Sequence, residues 1–237
     1  MKVKSLLKNF PLFNNVKNNR QLLNVKNYFR TVKAVKQSEG QIKLESKVGI
    51  MLYDFIKNHE INDVLEIGTW NGRGSTKVLY ESLKENKNVF TLTSIETDKI
   101  AYKSAKKYLS GEKINLLLGR IIEISDLPNP KNIDYVKFGM NPNNIEWFIQ
   151  DIRRYKKTKN IFKHINKKYD FILFDGGEFS TFPEFLKLYN QTKYFGLDDI
   201  FDYKQFEVLK HIKENKDRFK LITSTKDFSI YKVENID

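Results

Sequence analysis

From residue 62 onward, the sequence alternates five times between a short apolar strand pattern and a helical pattern. The predicted strands span residues 62–68, 89–95, 114–118, 169–174 and 193–197. Parallel strands need crossover connections, so this alternation predicts a mostly parallel sheet with helices on both faces. Two further strands, 219–223 and 228–233, flank a four-residue turn and predict a C-terminal antiparallel hairpin. The predicted fold is therefore α/β, with one seven-stranded sheet.

The helix boundaries are predicted from apolar spacing and from capping residues. Thr97 is placed to cap the helix after the second strand, whose predicted inner face is Ala101, Ala105, Tyr108 and Leu109. A longer helix is predicted over residues 145–164, ahead of the fourth strand. Residues 125–146 hold three Pro and five Asn, and they predict an irregular insertion.

Charge is distributed unevenly along the chain and divides it into two predicted regions. The formal net charge is +13, and residues 1–40 carry nine basic residues and one acid. We expect residues 1–45 to form a basic helical arm or lid, and residues 46–237 to form the folded domain. The arm lacks the pattern of a secretory signal, so a cytoplasmic protein is expected.

Composition excludes several classes of site. The sequence has no Cys, which rules out disulfides, thiolate metal sites and Cys nucleophiles. Lys outnumbers Arg by 35 to 7, whereas Arg is favoured for bidentate phosphate contacts, which weakens a nucleic-acid interpretation of the positive charge. No apolar run is long enough to predict a membrane span.

Every predicted parallel strand ends in an acid or a glycine. These residues are Glu66, Glu96, Gly119, Asp175 and Asp198. Ligands of open α/β sheets bind at the carboxyl ends of the strands, where the strand order reverses. The sequence therefore predicts a binding edge that is rich in carboxylates.

The turn after the first strand indicates what kind of ligand this edge binds. Gly72 and Gly74 fit part of a dinucleotide fingerprint, but Lys77 stands where its third glycine belongs, and no phosphate-binding Gly-Lys-Ser/Thr follows. Glu66 would repel a pyrophosphate and suits a cationic group. Glu96, 22 residues after Gly74, can accept hydrogen bonds from ribose hydroxyls. A ligand with a ribose, a positive centre and no phosphate is implied, and S-adenosylmethionine fits.

The chain resembles the class I S-adenosylmethionine-dependent methyltransferases from about residue 45 to 237. The matching stretches are residues 64–69 with Gly72, 94–96, 117–119 and 170–176. The resemblance implies a Rossmann-like fold, with Glu66 and Gly68 at the methionine moiety, Glu96 at the ribose, and Gly119 and Arg120 at the adenine. The other cofactor-binding residues it implies are Thr69, Trp70, Gly72, Ser75 and Asp175.

Residues 175–179 and 197–200 look like the corresponding segments of small-molecule O-methyltransferases. In metal-dependent members, the equivalent positions hold Mg²⁺, which implies a metal site at Asp175, Asp198 and Asp199. Gly177 departs from the acid or amide common there. Asp198 and Asp199 could instead cap the next helix. Glu178 is the candidate general base, so Glu178 and Asp175 are the predicted catalytic residues.

The whole-chain pattern also looks like methyltransferases of bacterial surface-polysaccharide pathways, such as capsule biosynthesis. That resemblance implies O-methylation of a sugar, a nucleotide-linked sugar or a glycan-destined phosphate-type group, an anionic acceptor met by the basic arm, and a homodimer. Two alternatives stay open: a methyltransferase of RNA or another nucleic acid, and a catalytically idle cofactor-binding module. The acidic strand ends disfavour a phosphate backbone.

Overall fold

The computed structural model describes residues 32–36, 38–86, 88–129, 133 and 142–234, with only the backbone of residues 142–147. The chain divides into two compact units, residues 1–38 and 39–237. In the first unit, residues 32–36 are helical. Most of the predicted basic arm, and the centre of the predicted insertion at residues 130–132 and 134–141, lie outside the described residues.

The second unit alternates helices and strands as the sequence predicts. Its helices are α1 (Lys47–Asn58), α2 (Ser75–Glu85), α3 (Lys99–Tyr108), α4 (Pro142–Lys157), α5 (Thr181–Leu188) and α6 (Tyr203–Glu214). Its strands are β1 (Asp63–Ile67), β2 (Thr91–Glu96), β3 (Ile114–Leu118), β4 (Tyr169–Phe174), β5 (Thr192–Asp198), β6 (Phe219–Ser224) and β7 (Phe228–Val233).

The seven strands form one sheet in the order β3-β2-β1-β4-β5-β7-β6. Strands β1 to β5 pair in parallel, and β7 is antiparallel to both β5 and β6. Leu65 of β1 lies opposite Thr93 of β2 on one side and Ile172 of β4 on the other. The chain order reverses at β1, so the carboxyl ends of β1 and β4 form the switch point at which such sheets bind ligands. The predicted fold class is confirmed.

Alternate residues of β4 separate the apolar core into two layers. Phe171 and Leu173 pack in a cluster with residues of α1 and α2, such as Leu52 and Leu79. Ile172 and Phe174 belong to a second cluster, which includes residues of α4, α5 and α6. Successive side chains of a strand point to opposite faces. The helices therefore cover both faces of the sheet.

The start of α3 differs from the sequence prediction. Asp98, and not Thr97, is the capping residue, and its carboxylate accepts hydrogen bonds from the backbone N–H groups of Ile100 and Ala101 at 2.7 and 3.1 Å. Tyr108 is half-exposed instead of facing inward, and the guanidinium of Arg73 lies over its ring. The cation–π contact explains how a large ring is accommodated on the outer side of the helix.

The helix predicted over residues 145–164 is also shorter than expected. It ends at Lys157, and a separate 3₁₀ turn follows at Phe162–His164. Between them, Asn160 bridges to Arg120 beyond the end of β3, and the Arg120 guanidinium donates to the carbonyls of Tyr155 and Thr158. These contacts satisfy carbonyls that a continued helix would have bonded internally. Among the described residues, no helix is both long and apolar enough to span a membrane.

Candidate active site

Most of the predicted site residues fall into two groups at the carboxyl edge of the sheet, and Gly119 and Arg120 lie outside both. The β1–β2 half consists of the turn at residues 68–75, together with Glu66 and Glu96. The β4–β5 half consists of the predicted residues Asp175, Glu178, Asp198 and Asp199, together with Lys204, which the sequence did not predict. The groups meet where the turn after β1 touches the end of β4: a Cβ atom on Gly68 would lie 2.0 Å from the carbonyl oxygen of Asp175.

The turn after β1 has an unusual backbone path. Gly68, Trp70 and Gly72 all have positive φ, at 100°, 53° and 78°. Glycine adopts this region without strain, whereas Trp70 does so at a cost. A side chain at Gly72 would also collide with Leu109, since the added Cβ would lie 2.7 Å from its side chain. The turn therefore packs closely against its surroundings and presents backbone to the switch point.

Glu66 is fully buried beneath this turn. Its carboxylate accepts hydrogen bonds from the hydroxyls of Ser75, at 2.6 Å, Thr76, at 2.6 Å, and Ser94. Burial raises the pKa of Glu66 to about 7, and the three hydroxyls oppose that rise. The contacts join β1 to β2 and to the first residues of α2. They are all internal, and the implied contact with a methionine moiety stays a prediction.

Glu96 lies at the end of β2 beside the same turn. One carboxylate oxygen accepts from the backbone N–H of Trp70 at 2.7 Å, and the other accepts from that of Asp98 at 2.6 Å. Burial raises the pKa of Glu96 to about 7, while the nearby Arg154 opposes the rise. Each carboxylate oxygen can accept a further hydrogen bond. The residue thus fits the expected ribose contact. In the same turn, the hydroxyl of Thr69 lies 2.5 Å from that of Ser94.

Arg154, which was not among the predicted site residues, lies near Glu96. Its Nε donates to Asp98 at 3.0 Å and its Nη1 to Asp151 at 3.2 Å. Asp151 is buried, and this raises its pKa to about 6. A Cβ atom added to Gly177 would lie 3.0 Å from the carboxylate of Asp151, so α4 extends to the β4–β5 half. Both residues lie in a segment whose pattern reveals only a helix.

Gly119 and Arg120, the predicted adenine contacts, follow β3. A side chain at Gly119 would collide with Ile161, since the added Cβ would lie 2.6 Å from its side chain. The Arg120 guanidinium donates to two carbonyls after α4 and, at 2.9 Å, to Glu123. The side chain therefore has a structural role in ending α4. The adenine contact at these two residues stays a prediction.

In the β4–β5 half, the structure brings together the three predicted metal ligands, Asp175, Asp198 and Asp199. One carboxylate oxygen from each lies within 4.8 Å of the others. Their alternative role as a helix cap is not observed, because the N-cap of α6 is Asp202. Burial and the neighbouring Asp175 raise the pKa of Asp198 to about 8. Asp199 has a positive φ of 54°.

The ammonium of Lys204, the second residue of α6, lies among these carboxylates. Its Nζ is 2.9 Å from Asp175, 2.9 Å from Asp199 and 3.9 Å from Asp198. Lys204 is almost fully buried, and the carboxylates raise the pKa of its ammonium above the ordinary value. Mg²⁺ needs oxygen ligands at about 2.0–2.1 Å in near-octahedral geometry. The cluster in this arrangement does not fit a divalent ion, because a cationic side chain takes the central space.

Glu178, the candidate base, borders a cleft of about 420 Å³. Burial, followed by the charge of Asp202, raises its pKa to about 7. The cleft has apolar walls that include Phe179, Phe182 and Leu186, and Lys204 also lines it. Four described residues of the predicted insertion contribute to the cleft as well: Asp126, Pro128, Asn129 and Ile133. The following lining residues carry charge: Asp126, Glu178, Lys204 and Glu207.

Comparison with known proteins identifies solved structures of the same fold at low sequence identity. No protein-family model and no curated protein matches the chain. Among solved structures, a putative O-methyltransferase from Klebsiella pneumoniae is 14% identical, with a TM-score of 0.52 over 98% of this chain and 93% of that one. An O-methyltransferase from Bacillus cereus in complex with SAH is 13% identical, with a TM-score of 0.52 over 86% and 91% of the two chains.

The SAH-bound methyltransferase PaMTH1 from Podospora anserina is 12% identical, with a TM-score of 0.50 over 92% of this chain and 97% of that one. At such identities the likeness shows the fold alone. The chain has the Rossmann-like fold of these methyltransferases, with a seven-stranded sheet that ends in an antiparallel hairpin.

Proposed function

We propose that the protein is an S-adenosylmethionine-dependent O-methyltransferase. The observation that carries the proposal is the position of Glu96, a buried carboxylate at the end of β2 beside the positive-φ turn. This carboxylate has acceptor capacity left for ribose hydroxyls, and the switch point is the place where this fold binds ligands. Solved proteins of the same fold include methyltransferases with SAH bound.

The β1–β2 half is the proposed donor site. The turn holds the donor through its backbone, and Glu96 accepts from its ribose. Bound S-adenosylmethionine supplies a methyl group on a sulfonium, an intrinsically good leaving group. The ionised carboxylate of Glu66 favours this positive charge electrostatically, whereas Asp175 is already paired with Lys204. The main work left to the protein is to align the reacting groups and to remove a proton.

The β4–β5 half is the proposed acceptor site. Glu178 takes the proton of the acceptor hydroxyl while the acceptor oxygen forms a bond to the methyl carbon and the sulfur–carbon bond breaks. The products are the methyl ether, SAH and a protonated Glu178, which returns its proton to solvent. A base whose pKa is near 7 is well matched to this transfer at neutral pH.

For the acceptor, we propose a small molecule that places a neutral hydroxyl-bearing group, such as a sugar, in the cleft. The apolar walls and the acidic residues support a neutral group, since the cationic Lys204 is already paired with Asp175 and Asp199. An anionic acceptor finds no support in the described lining. A nucleotide-linked sugar of a surface-polysaccharide pathway is compatible if its diphosphate stays outside the cleft.

Binding of SAH to the full chain, measured by isothermal titration calorimetry, tests the donor site. Glu96→Gln removes the charge and one acceptor from the ribose position, and we expect at least a tenfold loss of affinity, about 1.4 kcal/mol. Glu85→Gln, at the exposed end of α2, is the matched control and should bind as the wild type does. Absence of SAH binding to the wild type, or equal binding by Glu96→Gln, would contradict the proposal.

The acceptor can be identified by incubating a metabolite extract with S-adenosylmethionine and the protein. Mass spectrometry then shows which compounds gain a methyl group. A methylated sugar would support the proposed acceptor class, whereas methylated RNA would favour the nucleic-acid alternative.

A further inference from the structure

The carboxylate cluster at the ends of β4 and β5 already contains a cation. We propose that Lys204 takes the place of a divalent metal ion in this site, so that the protein binds no metal there and methyl transfer is metal-independent. The claim about metal binding stands on the geometry of the cluster. The claim about methyl transfer rests on the proposed function.

The position of the ammonium is the first argument. Lys204 Nζ donates to Asp175 Oδ1 and ion-pairs with Asp199 Oδ2, each at 2.9 Å, and lies 3.9 Å from Asp198 Oδ2. An ion coordinated by the same three carboxylates would need almost the same point in space. Lys204 and a divalent ion are therefore mutually exclusive occupants.

The confinement of Lys204 is the second argument. Only 6% of its side chain is exposed. Its backbone lies close enough to Glu178 to lower the pKa of that carboxyl. To admit a metal ion, the buried ammonium would have to leave Asp175 and Asp199, its two carboxylate partners at 2.9 Å, whose side chains are 22% and 31% exposed. An ammonium that stays buried without these partners is strongly disfavoured, because its charge is left uncompensated.

The local charge explains why a cation is needed in this place. Besides its three aspartates, the cluster has the carboxylates of Glu178 and Asp202 close by: Asp202 raises the pKa of Glu178, and Asp199 raises that of Asp202. Lys204 is the cationic side chain found among these carboxylates in the described part of the site. It thus provides from the chain itself a positive charge that a metal ion would otherwise bring.

One consequence concerns the acceptor. A divalent ion gathers several oxygen ligands around itself, and so favours acceptors that chelate through two oxygens. An ammonium donates single hydrogen bonds and has no such requirement. Because Lys204 lines the cleft with Glu178, the site can accept a substrate with one isolated hydroxyl.

Binding of Mn²⁺ to the full chain tests the inference without any need for turnover. Electron paramagnetic resonance reports free Mn²⁺, and we expect no loss of its signal with the wild type at millimolar protein and metal. Lys204→Ala removes the ammonium and leaves the carboxylates, so we expect it to bind Mn²⁺ at least tenfold more tightly than the wild type. The double variant with Lys204→Ala and Asp199→Asn should lose this increase in Mn²⁺ affinity. Lys213→Ala, on the exposed side of α6, should resemble the wild type.

Stoichiometric binding of Mn²⁺ by the wild type, lost in Asp199→Asn, would overturn the inference. So would a folded Lys204→Ala that gains no affinity, because the ammonium would then not be what closes the site. If Lys204→Ala does not fold, the thermal melting of the wild type decides: an equal Tm in Mg²⁺ and in EDTA supports the inference, and a Tm raised by Mg²⁺ contradicts it. If SAH also fails to bind, only the proposed function falls.

Discussion

The two halves of the site use the same kind of residue, a carboxylate at the end of a parallel strand, and stabilise it in different ways. In the β1–β2 half, neutral donors surround the acids: three hydroxyls at Glu66 and two backbone N–H groups at Glu96. In the β4–β5 half, the ammonium of Lys204 faces the acids. The acids of the first half have a pKa of about 7, with Arg154 near Glu96, whereas the second half holds a cation in direct contact with its acids.

This difference separates the two chemical tasks that the proposed reaction requires. A site for a sulfonium benefits from acids whose partners are uncharged, because their field is not cancelled locally. A site for an acceptor hydroxyl needs a base of suitable pKa and a fixed positive group. Acidic residues at the ends of different strands therefore serve two different purposes. The groups that contact each acid determine which purpose it serves.

The largest expected effect tests how the halves are joined. Gly68→Ala places a Cβ 2.0 Å from the carbonyl oxygen of Asp175 at a residue whose φ is +100°. We expect a loss of about 5 kcal/mol or more in unfolding free energy, measured by urea denaturation, since both backbone strain and a clash with the main chain contribute.

Gly111→Ala is the matched control for Gly68→Ala. Gly111 has a similar φ of +92°, but nothing lies within 4 Å of an added Cβ. We expect it to cost only about 1–2 kcal/mol, from backbone strain alone. Similar losses in both variants would mean that the contact between the turn and β4 is unimportant.

The next effect concerns the β4–β5 half. We expect Glu178→Gln to lower kcat by roughly 10²- to 10⁴-fold, because it removes the proposed base, while SAH binding stays as in the wild type. Because the pKa of Glu178 is raised to about 7, it is protonated below that pH. The wild-type kcat/KM should therefore rise with pH through about 7, and the rise should be absent in Glu178→Gln. An unchanged pH profile in the variant would remove Glu178 from the mechanism.

The smallest effect tests the β1–β2 half. The pKa of Glu66 is raised from 4.5 to about 7, so the native state binds this proton more tightly than the unfolded chain. The resulting stability is fully present below pH 4.5 and is lost as the pH rises to about 7. By linkage, this amounts to on the order of 3 kcal/mol.

Urea denaturation between pH 5 and 8 checks this dependence. Wild-type stability should fall with pH more steeply than that of Glu66→Gln, which cannot ionise at that position. Glu85→Gln serves again as the exposed control and should follow the wild type. Parallel curves for the wild type and Glu66→Gln would show that the hydroxyls fully compensate the buried charge.

Much of the fold could be predicted from the sequence because its signals are local and repeated. The apolar runs of β1, β3 and β4 match the strands closely; β1 and β4 are central, largely buried strands, and β3 is a partly exposed edge strand with an apolar run of its own. The errors arise where a neighbouring residue or a distant segment competes. Asp98 displaced Thr97 as the cap of α3, and contacts with Arg120 ended α4 early.

The sequence by itself determined the order of the elements, the parallel sheet and the carboxylates at its binding edge. These features could be predicted because apolar periodicity and the acid or glycine at the end of each strand are properties of short segments. Only the tertiary structure decided which partner each carboxylate has. Lys204 is one of 35 lysines, and nothing in its local sequence marks it. Its place among Asp175, Asp198 and Asp199 depends on how the start of α6 packs over two strand ends. Such an ion pair forms between residues that are distant in the sequence, so the pattern of neighbouring residues cannot predict it.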